Sequence, residues 1–325
     1  MDDKAPLEIV TDGANTFPIA KHITEHYGFP IVDWVAVTSW IDRLGEPDRA
    51  QAWTMCERAW LLRFRDALGP GYHLAESEQA TLLSSFESNL AHATLEMMEH
   101  TLKRIVFILD GIAQVPPWGK DILIVFDGQD EYYRYVSNYY PESGEFAFSG
   151  GMYIGSGCGH FVTVKSDLRS IEPVIAHEMT HGCVSYLPLP LWLNEGIAVN
   201  TERRLVGAGS SLYTPREMHH RHRNFWSETE IQEFWSGKSF TRIDDGNSLS
   251  YDLARIIVEQ MAKGWGSFRE FVLAADQADA GAAAAQTHLG IDLGEFVCAL
   301  IEKEFSSSWT PDPNAWKERA FGEDS

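Results

Sequence analysis

The chain predicts an α+β architecture: strand-forming stretches with helices among them first, then an almost uninterrupted run of helices. Three observations carry that expectation. "DILIVFDG" (121–128), "GGMYIG" (150–155) and "HFVTV" (160–164) are short apolar runs bounded by turn residues, as strands are. From Ile171 onward, apolar residues recur at helical spacing almost without a break. The composition, 44% hydrophobic and 12% aromatic over 325 residues, suffices for one large domain with subdomains, or for two domains.

Taken in order, residues 1–70 combine a short extended start with a helical stretch, "DRAQAWTMCERAWLLRFRDAL" (48–68). "GPG" at 69–71 breaks that helix and marks a boundary. "YHLAES" (72–77) reads as a strand, and residues 79–113 as one long helix ending near Gly111. The strands at 121–128, 150–155 and 160–164 follow, and the helical half begins after them. There is no internal repeat, and "DAGAAAAQ" (279–286) is simply helix-prone. "SSSWTPDPNAWKERAFGEDS" (306–325) reads as a surface tail. The expected organisation is an N-terminal helical segment (1–70), a β-containing subdomain (71–165), a helical subdomain (166–308) with a cleft between these two, and a C-terminal tail (309–325).

The formal charge of −21 repels phosphate backbones and argues against a nucleic-acid partner. It mildly favours a cationic substrate or peptide, although such an excess also serves solubility alone. "MDDKAPLEIV" has no basic segment followed by an apolar run, and no stretch approaches the ~18 apolar residues of a membrane span. Cys56, Cys158, Cys183 and Cys298 are widely scattered with no CxxC spacing. Free thiols in a cytoplasmic protein are the expectation; the oligomeric state is not legible.

"AHEMTH" (176–181) carries the chemistry. Two histidines four residues apart stand one turn apart on the same helical face, where two neutral imidazoles can share a metal ion. A glutamate beside the first can take a proton from an attacking water. Catalytic zinc takes three protein ligands, so a third is needed. "PLPLWLNEGIAVNTE" (188–202) offers Glu195 in the first turn of a following helix, turned back to the metal if the two helices pack antiparallel. Glu202, seven residues on, shares that face. It either fixes a ligand histidine through a hydrogen bond or is an ordinary solvated glutamate.

HExxH followed by a short loop and "WLNEG" resembles the gluzincin zinc metallopeptidases, and within them the aminopeptidase-N-like and peptidase MA-like branches. The resemblance is strong over 150–202 and weaker to about 262. It implies a thermolysin-like catalytic domain with one Zn2+ per chain, held by His177, His181 and Glu195, with Glu178 as general base. It further implies a tyrosine that stabilises the oxyanion, and Tyr251 in "LSYDLARIIVEQM" (249–261) matches in character. A half-buried core tyrosine is the plain alternative, and a histidine of "MHHRHR" (218–223) is a competitor for the role. Aminopeptidases of this branch carry GxMEN on the strand before the zinc helix. Here "GGMYI" keeps Gly150, Gly151 and Met152 but has Tyr153 and Ile154 in place of Glu and Asn. That strand can still pair with a substrate backbone, but the acid that would hold a free amine is missing.

The expected function is therefore zinc-dependent hydrolysis of a peptide or protein substrate. Two alternatives stay open from the sequence. One is an inactive peptidase fold used for binding; the other is a zinc hydrolase acting on a non-peptide amide or ester.

Overall fold

A computed structural model describes residues 4–11, 15–139, 150–207 and 212–317. The chain divides into two compact units, Met1–Ile105 with Val115–Cys183, and Val106–Gln114 with Val184–Ser325.

The first unit is built on a five-stranded sheet. Its strands are β5 (His73–Glu76), β6 (Ala80–Ser84), β7 (Asp121–Phe126), β8 (Gly151–Ile154) and β9 (His160–Val164), in the order β5-β6-β7-β9-β8. The central three are mutually parallel, and β5 and β8 close the two sides antiparallel. Central parallel strands are covered on both faces, which accounts for the unbroken apolar run Ile122–Phe126. Two small hairpins precede the sheet, β1 (Ile9–Val10) with β2 (Thr16–Phe17), and β3 (Ile23–His26) with β4 (Phe29–Val32).

Helices α1 (Trp34–Ile41), α2 (Glu46–Leu68), α3 (Ser88–Ile108), α4 (Gln129–Val136) and α5 (Leu168–Val184) complete this half of the chain. α2 opens with proline in its first turn and ends at Gly69, whose φ of +108° no side chain favours. Its apolar face, including Ala52, Cys56, Trp60 and Phe64, recurs every fourth residue and joins one core with the sheet. Phe64 meets Phe126 and Tyr135, and the Trp60 indole donates to the Pro30 carbonyl at 3.0 Å. Residues of the first seventy positions thus share their core with β7 and β9.

The long helix expected over 79–113 starts only at Ser88. "ATLLS" before it forms β6, all five residues buried between β5 and β7. Leucine carries a good helix propensity, but burial on a pleated surface outweighs it there.

The second unit is helical: α6 (Leu191–Val206), α7 (Pro215–Phe225), α8 (Glu228–Ser236), α9 (Asp245–Met261), α10 (Trp265–Ala274), α11 (Ala282–His288), α12 (Leu293–Ile301) and α13 (Pro313–Lys317). Trp192, Trp226, Trp235, Phe234, Phe268 and Phe271 are fully buried. Thr214 and Glu217 form a capping box at the head of α7. Asp244 caps α9, and its carboxylate is gripped by both arms of the Arg242 guanidinium at 2.7 and 2.8 Å. Of the 306–325 stretch expected as a surface tail, 318–325 lie outside the described residues, and the described part is tied in by Trp309. That side chain is buried, and its carbonyl accepts from the Trp235 indole at 2.8 Å. Burial of an aromatic of that size favours docking of the segment that carries it.

The described residues are mainly helical with a small mixed sheet, so the α+β expectation is met at that level. No helix among them is long and apolar enough to cross a membrane. All four cysteines are free and buried.

Candidate metal centre

α5 carries the HExxH residues. Asp167 precedes it and accepts from the Ser170 N–H at 3.0 Å, an N-terminal cap. Pro173 lies inside the helix, and the hydrogen bond it removes is the one to Arg169, in the opening turn. The histidines beyond it stand on regular helix. Thr180, between them, turns its hydroxyl back onto the Ala176 carbonyl at 2.7 Å. The His177 and His181 rings lie 4.8 Å apart, centroid to centroid, at 77° to one another.

The position of α5 on the sheet depends on a residue without a side chain. A Cβ on Gly151 would run into Val174 Cγ1 and sit 3.0 Å from the Val162 carbonyl. Glycine at the start of "GMYI" is thus required by the close passage of the helix, three residues before His177. Among the described residues β8 pairs only with β9, so Gly151, Met152 and Tyr153 stand on an outer strand and Gly150 immediately precedes it.

Glu195 comes from α6. Pro190 is the N-cap and the helix opens at Leu191, so Glu195 lies in the second turn rather than the first. The proline supplies the extended conformation that an N-cap needs. Gly196 is where α6 meets α9: a Cβ there would come within 2.6 Å of both the Ala254 carbonyl and Val258 Cγ2. Asn200 clasps the crossing, donating to the carbonyls of Gly196 at 2.7 Å and Arg255 at 2.9 Å. Trp192 anchors the same helix through its indole N–H to the Ala280 carbonyl at 3.0 Å.

His177, His181 and Glu195 each offer one ligand atom, and these atoms all lie within 4.8 Å of one another. Ligands of a tetrahedral zinc at about 2.1 Å would be about 3.4 Å apart, so the set fits one small cation after modest side-chain adjustment. Two imidazoles and one carboxylate also match the donor chemistry of catalytic zinc. Glu178, His181 and Glu195 each keep 9% of their surface exposed, and His177 is half-buried. A charge in such a place is costly unless paired or bound to metal.

Glu202 lies half-buried two turns beyond Glu195 on α6. Tyr251 is half-buried in the second turn of α9, its ring against Phe240 at 5.1 Å, edge to face. Of the histidine cluster, His222 is buried in the helical unit with both ring nitrogens engaged. The Trp226 indole donates to Nδ1 at 2.9 Å, which leaves the proton on Nε2, 3.0 Å from Asp252. Burial of Asp252 works against its charge, but His222 and Arg255 outweigh it and hold the carboxyl below its usual range. His222 therefore ties α7 to α9, next to Tyr251. His219 and His220 lie on the same helix, near Glu302 and Asn224 respectively.

Sequence reasoning missed the Gly196–Asn200 clasp and the His222–Asp252 tie. The glycine of "NEG" was the available signal for the first. Nothing local announces the second, because its partners are 30 residues apart. No protein-family model and no curated protein matches the chain.

Proposed function

We propose that the protein is a zinc-dependent metallopeptidase in which His177, His181 and Glu195 hold the metal and Glu178 is the general base. The observation that carries the reading is the convergence of three metal-ligating side chains within 4.8 Å, with a buried glutamate next to the first of them on the helix. Zinc, when bound there, supplies a Lewis acid that polarises the scissile carbonyl and acidifies water. Glu178 takes a proton from the attacking water and returns it to the departing amine. Glu202 is the proposed partner that orients a ligand side chain.

Tyr251 is the proposed donor to the oxyanion, worth about 2–4 kcal/mol in the transition state. In support, α9 and α6 touch at Ala254 and Gly196, so Tyr251 sits one turn from the contact and Glu195 beside it. His222 makes a poor competitor because neither ring nitrogen is available to a substrate. Met152 and Tyr153, on the outer strand, are the proposed backbone partners of an extended substrate.

The test pairs metal analysis with digestion of an unbiased peptide library, and with ester and non-peptide amide substrates alongside. Close to one zinc per chain, lost in the His177→Ala/His181→Ala variant, is expected together with peptide cleavage. Zinc retained in full by that double variant removes the ligand assignment. Cleavage of esters alone leaves the metal centre and overturns the peptidase reading.

A further inference from the structure

A second cavity, of about 230 Å3, lies entirely within the first unit and differs in chemistry from the metal centre. Two carboxylates, Glu57 and Asp121, line it together with the rings of Trp53, Trp118, Tyr153 and Phe161. Exposed Pro116 and Pro117 form part of its rim, so it opens to solvent on that side.

The two acids differ in their bonding. Glu57 is buried and anchored: the Trp53 indole donates to Oε1 at 2.6 Å and the Lys120 N–H to Oε2 at 3.2 Å. Asp121 stands at the start of β7, and its carboxylate has no hydrogen-bond or ion-pair partner among the described residues. Lys120 is a cation on the same wall, but its ammonium turns away, donating to the Ser77 carbonyl at 2.7 Å with Glu76 at 3.7 Å. The cavity thus presents carboxylate oxygens and aromatic surface, with its own cation spent elsewhere.

We propose that this cavity is a binding site for an organic cation, an alkylammonium or alkylguanidinium group of the size of a lysine or arginine side chain. Aromatic rings attract such cations while excluding water from the alkyl stem. The partnerless Asp121 supplies the counter-charge, and Glu57 a second acceptor. A small inorganic cation would find too few oxygens and too much aromatic carbon. Burial pushes Asp121 up to about 6, and it pushes Glu57 up to about 7 against the opposing pull of its hydrogen-bond donors and of the Lys120 charge. The net charge of −21 draws cations towards the protein without choosing among them; the cavity adds shape. The site stands whether or not the metal reading holds.

The experiment is a ligand-observed NMR titration of the full chain with n-butylguanidinium and n-butylammonium, in 0.3 M salt to suppress non-specific attraction, with 1-pentanol as the neutral control. Saturable binding to one site is expected for either or both cations, with the alcohol weaker by roughly 10-fold or more. Asp121→Asn should weaken binding by about 10-fold, the value of one charge-assisted contact. Since only the backbone of Asp121 is hydrogen-bonded among the described residues, a change confined to its carboxylate keeps the fold. Glu96→Gln, an exposed acid on α3, should bind as the parent does. Absence of saturable binding by both cations, equal binding of the alcohol, or equal loss in Glu96→Gln and Asp121→Asn each overturns the site.

Discussion

Replacing Glu57 by glutamine should make the protein more stable in neutral and mildly alkaline solution than in acid, relative to the parent. Glu57 is 5% exposed, and burial raises its carboxyl from 4.5 to about 7, against the lowering effect of the Trp53, Lys120 and Cys158 donors. Between those two values the unfolded chain has released the proton and the folded chain has kept it. Stability contributed by the neutral carboxyl is therefore complete below about pH 4.5 and is lost as pH climbs through 7. At about 1.4 kcal/mol per pH unit, the loss across that window comes to about 3 kcal/mol. Glutamine is never charged and cannot lose it. Its amide keeps the Trp53 hydrogen bond but turns an NH2 towards the Lys120 N–H, a constant penalty that cancels when two pH values are compared. Urea unfolding of parent and Glu57→Gln at pH 5 and pH 8 reads the effect as a difference of differences. A gain of about 2–3 kcal/mol for the variant on passing to pH 8 is expected. A change below about 0.5 kcal/mol would mean that Glu57 is already ionised at pH 5, with its donors outweighing desolvation.

Four further outcomes follow from the geometry. Glu178→Gln should keep its zinc by metal analysis while hydrolysis falls by orders of magnitude; turnover at the parent rate would place the base elsewhere. Tyr251→Phe should lower kcat and kcat/KM together by about 2–4 kcal/mol with the melting temperature unchanged, and a silent variant would refute the donor role. His222→Ala strips a hydrogen-bond partner from both Trp226 and Asp252, so it should cost about 2–4 kcal/mol of stability in chemical denaturation; a loss under 1 kcal/mol would show that the tie is dispensable. N-acetylated peptides should be cut about as fast as their free-amine twins, because "GGMYI" carries no acid for the amine; strict dependence on a free amine would contradict this.

What the sequence made legible follows the range of each interaction. The HExxH spacing is a property of one helical turn, and Glu195 lies only 14 residues past His181, so a local pattern held all three candidate ligands. The strands "DILIVF" and "HFVTV" were readable because their apolar runs are bounded by turns. "ATLLS" was not, since its strand character comes from β5 and β7 on its two sides rather than from its own residues. The helix start at Leu191 was obscured because proline usually announces a boundary without saying which side of it the helix lies. The His222–Asp252 tie and the Glu57–Asp121 cavity join positions tens of residues apart, and no periodicity encodes that.

The glycines at 151 and 196 carry a consequence for anyone who surveys variants of this protein. Each lies where another backbone or branched side chain passes too close for even a methyl group. Every single-nucleotide change of a glycine codon that yields another amino acid adds at least that methyl. In a saturation library scored by hydrolysis, both positions should therefore be as intolerant as His177, although neither has a side chain to offer to the chemistry. Scoring the same library by cellular abundance separates the two kinds of intolerance: glycine variants should vanish from the abundance map, whereas Glu178→Gln should remain.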